Sequence, residues 1–298
     1  MEHLVTPEEA GRSVRDLARH VLQLSEGAIR RAKWEGRLTV DGAPRRITEA
    51  VRAGETLAFR PPADEPVFVP RPFERALDIP WRDGRLLVID KPAPMASQSS
   101  RNHPDDSLEN AVYAFLGCPE RFVYRPVNRL DKGTSGLMLV ALDGAEQARL
   151  QRLLHTPVFR REYLAVTDGL PPEAEGVIDA PIGKAEGATI RRECRPDGQP
   201  SLTRYRVLET AGRRALLRLR LETGRTHQIR VHLASLGCPV FGDFLYGTES
   251  PLLPGRFALH SAEVTFPTFE GETVHLASPL PSALRALLSA PASQSSPR

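Results

Sequence analysis

A single carboxylate set beside a long cation is the sharpest chemical feature of this chain. In Arg129-Leu130-Asp131-Lys132-Gly133-Thr134-Ser135-Gly136-Leu137 it stands immediately ahead of the apolar run Leu137-Met138-Leu139-Val140-Ala141-Leu142. A strand-like run entered through a Gly/Thr/Ser turn holds such a residue at a cleft mouth on a rigid element. Placed there, Asp131 could serve as a nucleophile, as a general base, or as half of an ion pair.

Three further segments could supply partners. Gly224-Arg225-Thr226-His227-Gln228-Ile229-Arg230-Val231-His232 reads as a strand over 228–233. On a strand Thr226, Gln228 and Arg230 share one face, and His227, Ile229 and Val231 the other. The two histidines then point apart, with no carboxylate or cysteine at ligand spacing, so no metal site is expected. His227 reads as a hydrogen-bonding scaffold residue, whereas the Arg230 guanidinium can clamp a carboxylate or phosphate bidentately. In Arg160-Arg161-Glu162-Tyr163-Leu164-Ala165-Val166, Tyr163 is either a core residue or a base-stacking one, a contact worth roughly 1–3 kcal/mol. Leu86-Leu87-Val88-Ile89-Asp90-Lys91-Pro92-Ala93-Pro94-Met95 reads as a buried strand ending at a Pro-stiffened turn, with structural roles for Asp90 and Lys91.

The elements that must position these groups fall into two domains. Residues 12–24 carry Val14, Leu17, Ala18, Val21 and Leu22 at helical spacing, and Ser25 is the expected N-cap of a second helix over 26–35. That helix holds Arg30, Arg31 and Lys33, with Arg37 just beyond. The strand and turn Leu38-Thr39-Val40-Asp41-Gly42 and a returning strand toward Phe59 complete a helix–helix–hairpin module over residues 1–60. Pro61, Pro62, Pro66, Pro70 and Pro72 mark a semi-rigid linker, 61–74. Over 75–288, strands at 85–90, 137–142, 162–167, 203–208 and 215–221 outnumber helices near 106–116 and 144–154, without β-α-β alternation. The expected class is α+β, a large mixed, mainly antiparallel sheet with flanking helices. The Ser/Pro/Ala-rich tail, 289–298, reads as disordered.

Composition narrows the function classes. The 298 residues are 41% hydrophobic and 26% charged, as in a soluble globular protein. A formal charge of +3, from 40 basic and 37 acidic residues, permits nucleic-acid binding without requiring it. Cys118, Cys194 and Cys238 lack metal or redox spacing and read as reduced thiols. The N-terminus has no signal pattern and no apolar run reaches the ~20 residues of a membrane span, so a cytoplasmic location is expected. A metal-dependent nuclease or hydrolase lacks its carboxylate cluster.

Two resemblances connect the segments. Leu24 to Ile29, Gly36 to Gly42 and Val51 to Glu55 resemble the RNA-binding domain named after small-subunit ribosomal protein four. This implies binding of structured RNA through the second helix, by Arg30, Arg31, Lys33 and Arg37. Lys91-Pro92, Asn128-Arg129-Leu130-Asp131 with Thr134-Ser135-Gly136, Arg161 to Val166, and Gly224 to His232 together resemble the RluA-type RNA pseudouridine synthases. That resemblance implies cofactor-free isomerisation of uridine to pseudouridine. It implies a catalytic Asp131, an Arg230 that pairs with it, and a Tyr163 that packs against the base. Arg129 would enter the space left by the flipped nucleotide, and Arg161 and Arg225 would contact RNA. The expected partner is structured RNA, large-subunit ribosomal RNA first and transfer RNA second, bound by a monomer. The alternative is a non-catalytic RNA-binding or ribosome-assembly factor on the same fold. Asn128 stands where many members have histidine. Pro94 to Ser99 departs from a common glycine and histidine-proline pattern near the expected RNA entrance.

Overall fold

The computed structural model describes residues 1–22, 24, 26–60 and 69–289. The expected N-cap Ser25, most of the Pro-rich segment and nearly all of the tail lie outside them. The chain divides into two compact units, Met1–Val67 and Phe68–Arg298.

The first unit runs β1 (Glu2–Leu4), α1 (Val14–His20), α2 (Glu26–Trp34), β2 (Leu38–Val40), β3 (Ala43–Pro44) and β4 (Thr56–Phe59). Its antiparallel sheet has the order β1-β4-β2-β3. Helix α1 starts at Val14 because the Ser13 hydroxyl accepts the Asp16 N–H at 3.1 Å, satisfying one of the orphan donors of the first turn. Leu17, Ala18, Ile29 and Ala32 bury one stripe of each helix against Val40 and Leu57. Asp41 and Gly42 both take positive φ, the geometry that a tight two-residue hairpin turn requires.

The second unit continues with β5 (Asp78–Arg82), β6 (Leu86–Lys91), α3 (Leu108–Phe115), β7 (Arg125–Pro126), β8 (Ser135–Ala141), α4 (Gly144–Leu153) and β9 (Arg160–Asp168). It then runs β10 (Glu175–Asp179), β11 (Ile182–Lys184), β12 (Arg192–Cys194), β13 (Leu202–Ala211), β14 (Arg214–Leu221), α5 (Gln228–Ser235), β15 (Leu259–Pro267), β16 (Thr273–Ala277) and α6 (Ser282–Arg285). The main sheet has the order β10-β13-β14-β9-β15-β8-β6-β5, with β16 on β15 and β7 on β8. Its pairs are antiparallel except β15 with β8. The fold is therefore α+β with a large, mainly antiparallel sheet.

Strand β8 is buried along its whole length. Met138 and Val140 join Leu87 and Ile89 of β6 in one core, while Leu137 and Leu139 join Leu86 and Val88 in another. Alternation on a pleated strand sends successive residues to opposite faces, and both faces here are covered, so the sequence reads as one continuous apolar run. A strand clamped on both sides gives the preceding turn a rigid base.

One expectation fails in this unit. Residues 228–233 are helical, forming most of α5, not a strand. All six are buried, so neither a 3.6-residue nor a two-residue period separates an inner from an outer face. Arg230 and His227 consequently do not lie on opposite faces of a strand.

At Gly136 φ is +106°, and an added Cβ would stand 2.2 Å from the Ser261 carbonyl oxygen. Gly84 has open space within 4 Å and no such φ. Gly136→Ala should therefore lower stability by roughly 2–5 kcal/mol in urea unfolding, through backbone strain plus overpacking. Gly84→Ala should stay within about 0.5 kcal/mol of the parent.

Candidate active site

Asp131 lies in the turn that leads into β8, closed by the Thr134 N–H donating to the Asp131 carbonyl at 3.0 Å. The flanking residues are pinned from several directions. The Leu130 N–H donates to the Ser97 hydroxyl oxygen at 3.2 Å, and that hydroxyl donates back to the Leu130 carbonyl. The Met95 N–H donates to the Lys132 carbonyl at 3.0 Å. Asn128 Oδ1 accepts the Leu139 N–H at 2.9 Å, tying the turn to β8. The segment that departs from the family pattern thus supplies two of the fastenings, Met95 and Ser97, and Ser97 and Gln98 also line the cleft.

Arg230, on α5, is 3% exposed and bridges two carboxylates. Its Nη1 donates to Asp131 Oδ2 at 2.9 Å. Its Nε and Nη2 donate to Asp243 at 2.6 and 2.8 Å, a bidentate pair with a fully buried carboxylate. Asp243 Oδ1 also accepts the N–H groups of Leu245 and Tyr246. Burial pulls the Arg230 pKa down, but its bonds to Asp243 and the charge of Asp131 outweigh this and leave it raised. The guanidinium carbon lies 4.2 Å from the centre of the Phe257 ring. That ring fills the space over Gly133, where a Cβ would come within 2.6 Å of it. One glycine of the nonapeptide therefore makes room for the ring beneath the arginine, and Gly136 admits the β15 backbone.

His227, the residue before α5, has a left-handed backbone with φ 59°. Its Nδ1 is 2.8 Å from the Tyr246 hydroxyl, which accepts the Arg192 N–H at 2.9 Å. With the hydroxyl donating to Nδ1, Nε2 carries the N–H; with Nδ1 donating to the hydroxyl oxygen, Nε2 is an acceptor. Nε2 stands 3.9 Å from Asp131 Oδ2. Burial is the largest influence on His227 and lowers its pKa, with Arg230 and Arg192 adding to it against Asp131 and Asp243. A neutral ring at pH 7 follows.

Behind the turn Lys91 has no exposed surface and donates to the carbonyls of Pro92 and Met95. Burial pushes its pKa down to about 7, against the attraction of Asp131 and with the repulsion of Arg256.

Asp131 opens onto a cleft of about 730 Å³ whose walls include Arg129, Tyr163, Arg161, Arg225 and His227. Tyr163 is 4% exposed, and β9 alternation puts it on the same face as Arg161. Arg129 is exposed at the rim. Among the described residues no three His, Cys, Asp or Glu side chains gather where they could hold a metal ion. The arrangement is one carboxylate, fixed by a guanidinium, facing an arginine-lined space with a tyrosine wall.

Residues 85–235 match the family model for RNA pseudouridylate synthase. The chain belongs to that family. It is 35% identical to an uncharacterized RNA pseudouridine synthase of Bacillus subtilis, YjbO, over 85% of this chain and 90% of that one. It is 34% identical to the ribosomal large subunit pseudouridine synthase D of Xanthomonas campestris, over 88% and 83% of the two chains. Among solved structures, human RNA pseudouridylate synthase domain containing 1 superposes with a TM-score of 0.57 at 28% identity, covering 74% of this chain and 90% of that one. This pseudouridine synthase is thus an enzyme acting on RNA.

The structure gathers Asp131, Arg230, Tyr163, Arg129, Arg161 and Arg225 at one cleft. Arg30, Arg31 and Lys33 are exposed on α2 of the other unit, and Arg37 beside it is tied to Glu35 and to the Arg60 carbonyl. Asp243 and Tyr246 have no place in the sequence reading, Ser97 enters it only within the Pro94 to Ser99 departure, and Lys91 and His227 enter it as scaffold within the matching segments. Asp243 has a faint signal, a Gly-Asp pair closing the short apolar run Val240-Phe241.

The depressed Lys91 pKa makes stability pH-dependent. Below pH about 7 the lysine is charged both folded and unfolded, and its burial is paid in full. Between about 7 and the ordinary lysine value of 10.5 the unfolded chain holds a proton that the folded one does not, so stability rises with pH. Relative to Lys91→Met, the wild type should gain up to about 1.4 kcal/mol per pH unit across that window in denaturant unfolding. A difference that stays constant with pH would contradict the assignment.

Proposed function

We propose that this enzyme isomerises a uridine of large-subunit ribosomal RNA, with Asp131 as the catalytic carboxylate. The observation that carries the reading is the contact of Asp131 with buried Arg230 at the mouth of a cleft walled by Tyr163. The relative from Xanthomonas campestris named as a large-subunit ribosomal enzyme supports the choice of RNA. Isomerisation breaks the bond from the sugar to N1, turns the uracil, and joins the sugar to C5, which loses its proton while N1 gains one. Asp131, held in place by Arg230, acts at the sugar as nucleophile or as base. Tyr163 packs against the uracil and limits its reorientation. The target must leave its stack to reach this site, at a cost of a few kcal/mol. Arg129, exposed beside Asp131, fills the vacated space, and Arg161 and Arg225 hold the strand. In the first unit Arg30, Arg31, Lys33 and Arg37 grip structured RNA by its phosphates. The protein works as a monomer and without a cofactor. A non-catalytic assembly factor would have no use for a carboxylate anchored in this way.

The test is reverse transcription of carbodiimide-treated RNA from cells with and without the gene. A defined pseudouridine stop should vanish with the gene and return with the wild type. Asp131→Asn should fold and bind RNA, yet form pseudouridine roughly 10²–10⁴-fold more slowly. Restoration of the stop by Asp131→Asn would overturn the assignment.

A further inference from the structure

We propose that Arg161, His155 and Arg225 form a seat for one backbone phosphodiester of the RNA strand beside the reacting uridine. The inference rests on the RNA-modifying reading above and goes further by assigning a ligand group to these three side chains.

Arg161 is only 7% exposed, yet its Nη2 is buried without a hydrogen-bond partner. A guanidinium taken out of water and left with an idle donor is costly, and such a donor calls for a partner, whether water, ion or ligand. No carboxylate pairs with Arg161 among the described residues, and its side chain lines the same cleft as Asp131. Arg161 and Tyr163 are two residues apart on β9, about 6.6 Å along the strand. A base held by Tyr163 would therefore bring its own backbone within reach of Arg161.

Two more groups of the cleft complete the seat. His155 follows α4, and Arg225 comes from the segment after β14. Gly224 marks where Arg161 and His155 meet: a Cβ there would lie 3.5 Å from both Arg161 Nη2 and His155 Cε1. Of the acidic side chains close to them in sequence, Glu162 is engaged by Arg218, and Glu222 by Arg204 and Arg220. Burial, then Arg161 and Arg225, lower the His155 pKa, and the Glu222 carbonyl partly opposes them. Arg225 Nε donates to the Pro200 carbonyl at 3.2 Å, and with two guanidiniums and an imidazole and, among the described residues, no carboxylate committed to them, the group they suit is a tetrahedral oxyanion.

An arriving phosphate would offset the repulsion from Arg161 and Arg225, so His155 would gain a proton as RNA binds. Binding should then be tighter on the acid side of neutrality.

The probes are uridine 3′-monophosphate and uridine, followed by the His155 ring protons in an NMR pH titration, with His155→Gln supplying the assignment. Saturating uridine 3′-monophosphate should raise the His155 midpoint by roughly one pH unit, and uridine should leave it in place. The rise should be absent in Arg161→Met. On an RNA that the enzyme modifies, Arg161→Met should raise KM roughly tenfold with little change in kcat. It should also reduce the slope of log KM against log salt by about 0.7, one phosphate contact on a single strand. Gly224→Val, whose backbone tolerates a side chain and whose Cβ makes ordinary contact, should raise KM by obstruction and guards against misfolding of the arginine variant. An unchanged His155 midpoint with uridine 3′-monophosphate, or variants that lower kcat and spare KM, would overturn the seat. If no RNA is modified but the midpoint still rises, the seat stands and the substrate reading falls.

Discussion

Everything at this site depends on one buried guanidinium held between two carboxylates. Arg230 is tied bidentately to Asp243 and reaches Asp131 with its remaining arm. A buried cation is tolerable only with its charge matched and its donors occupied, and Asp243, fully buried, meets most of that demand. Asp131, 29% exposed, is therefore not the arginine's main anchor. The consequence for chemistry is directional: the arginine can hold the outer carboxylate in place without swinging toward solvent.

Packing around this bridge explains the small residues of the nonapeptide. Gly133 accommodates Phe257, whose ring lies under the guanidinium, and Gly136 lets β15 come against β8. The 95–97 segment and Asn128 fasten the turn from outside, and β8, buried on both faces, holds it from within. A carboxylate supported in this way loses little of its positioning to thermal motion, which suits a reaction in which a bond must be remade at a different atom of the same base.

How much of this was legible in the sequence depended on whether a residue's partner lay nearby in the chain. The β8 run and the turn ahead of it were readable because local pattern and tertiary role agree. Arg230 stands out as a bidentate side chain, but the sequence pattern points to a strand where α5 forms, because residues 228–233 are all buried and show no amphipathic period. Asp243 was not found. Its partner is thirteen residues away, and a lone aspartate after a short apolar run resembles any turn. His227 read as scaffold, and its approach to Asp131 depends on a left-handed backbone and on Tyr246, neither of which has a sequence pattern. Ser97 lay in a segment noticed for its departure from the family. Its hold on Leu130 spans 33 positions and emerges only from the fold.

The central claim, that Asp243 fixes Arg230 and through it Asp131, is tested most directly by tritium release from RNA labelled at uracil C5. Joining the sugar to C5 releases the tritium on that carbon to water as a proton, so release reports the completed reaction. Folded Asp243→Asn, which leaves Asp131 and Arg230 in the chain but removes the buried charge between helix and loop, should release tritium roughly 10²-fold more slowly than wild type. Release at the wild-type rate would show that Asp131 does not need the bridge.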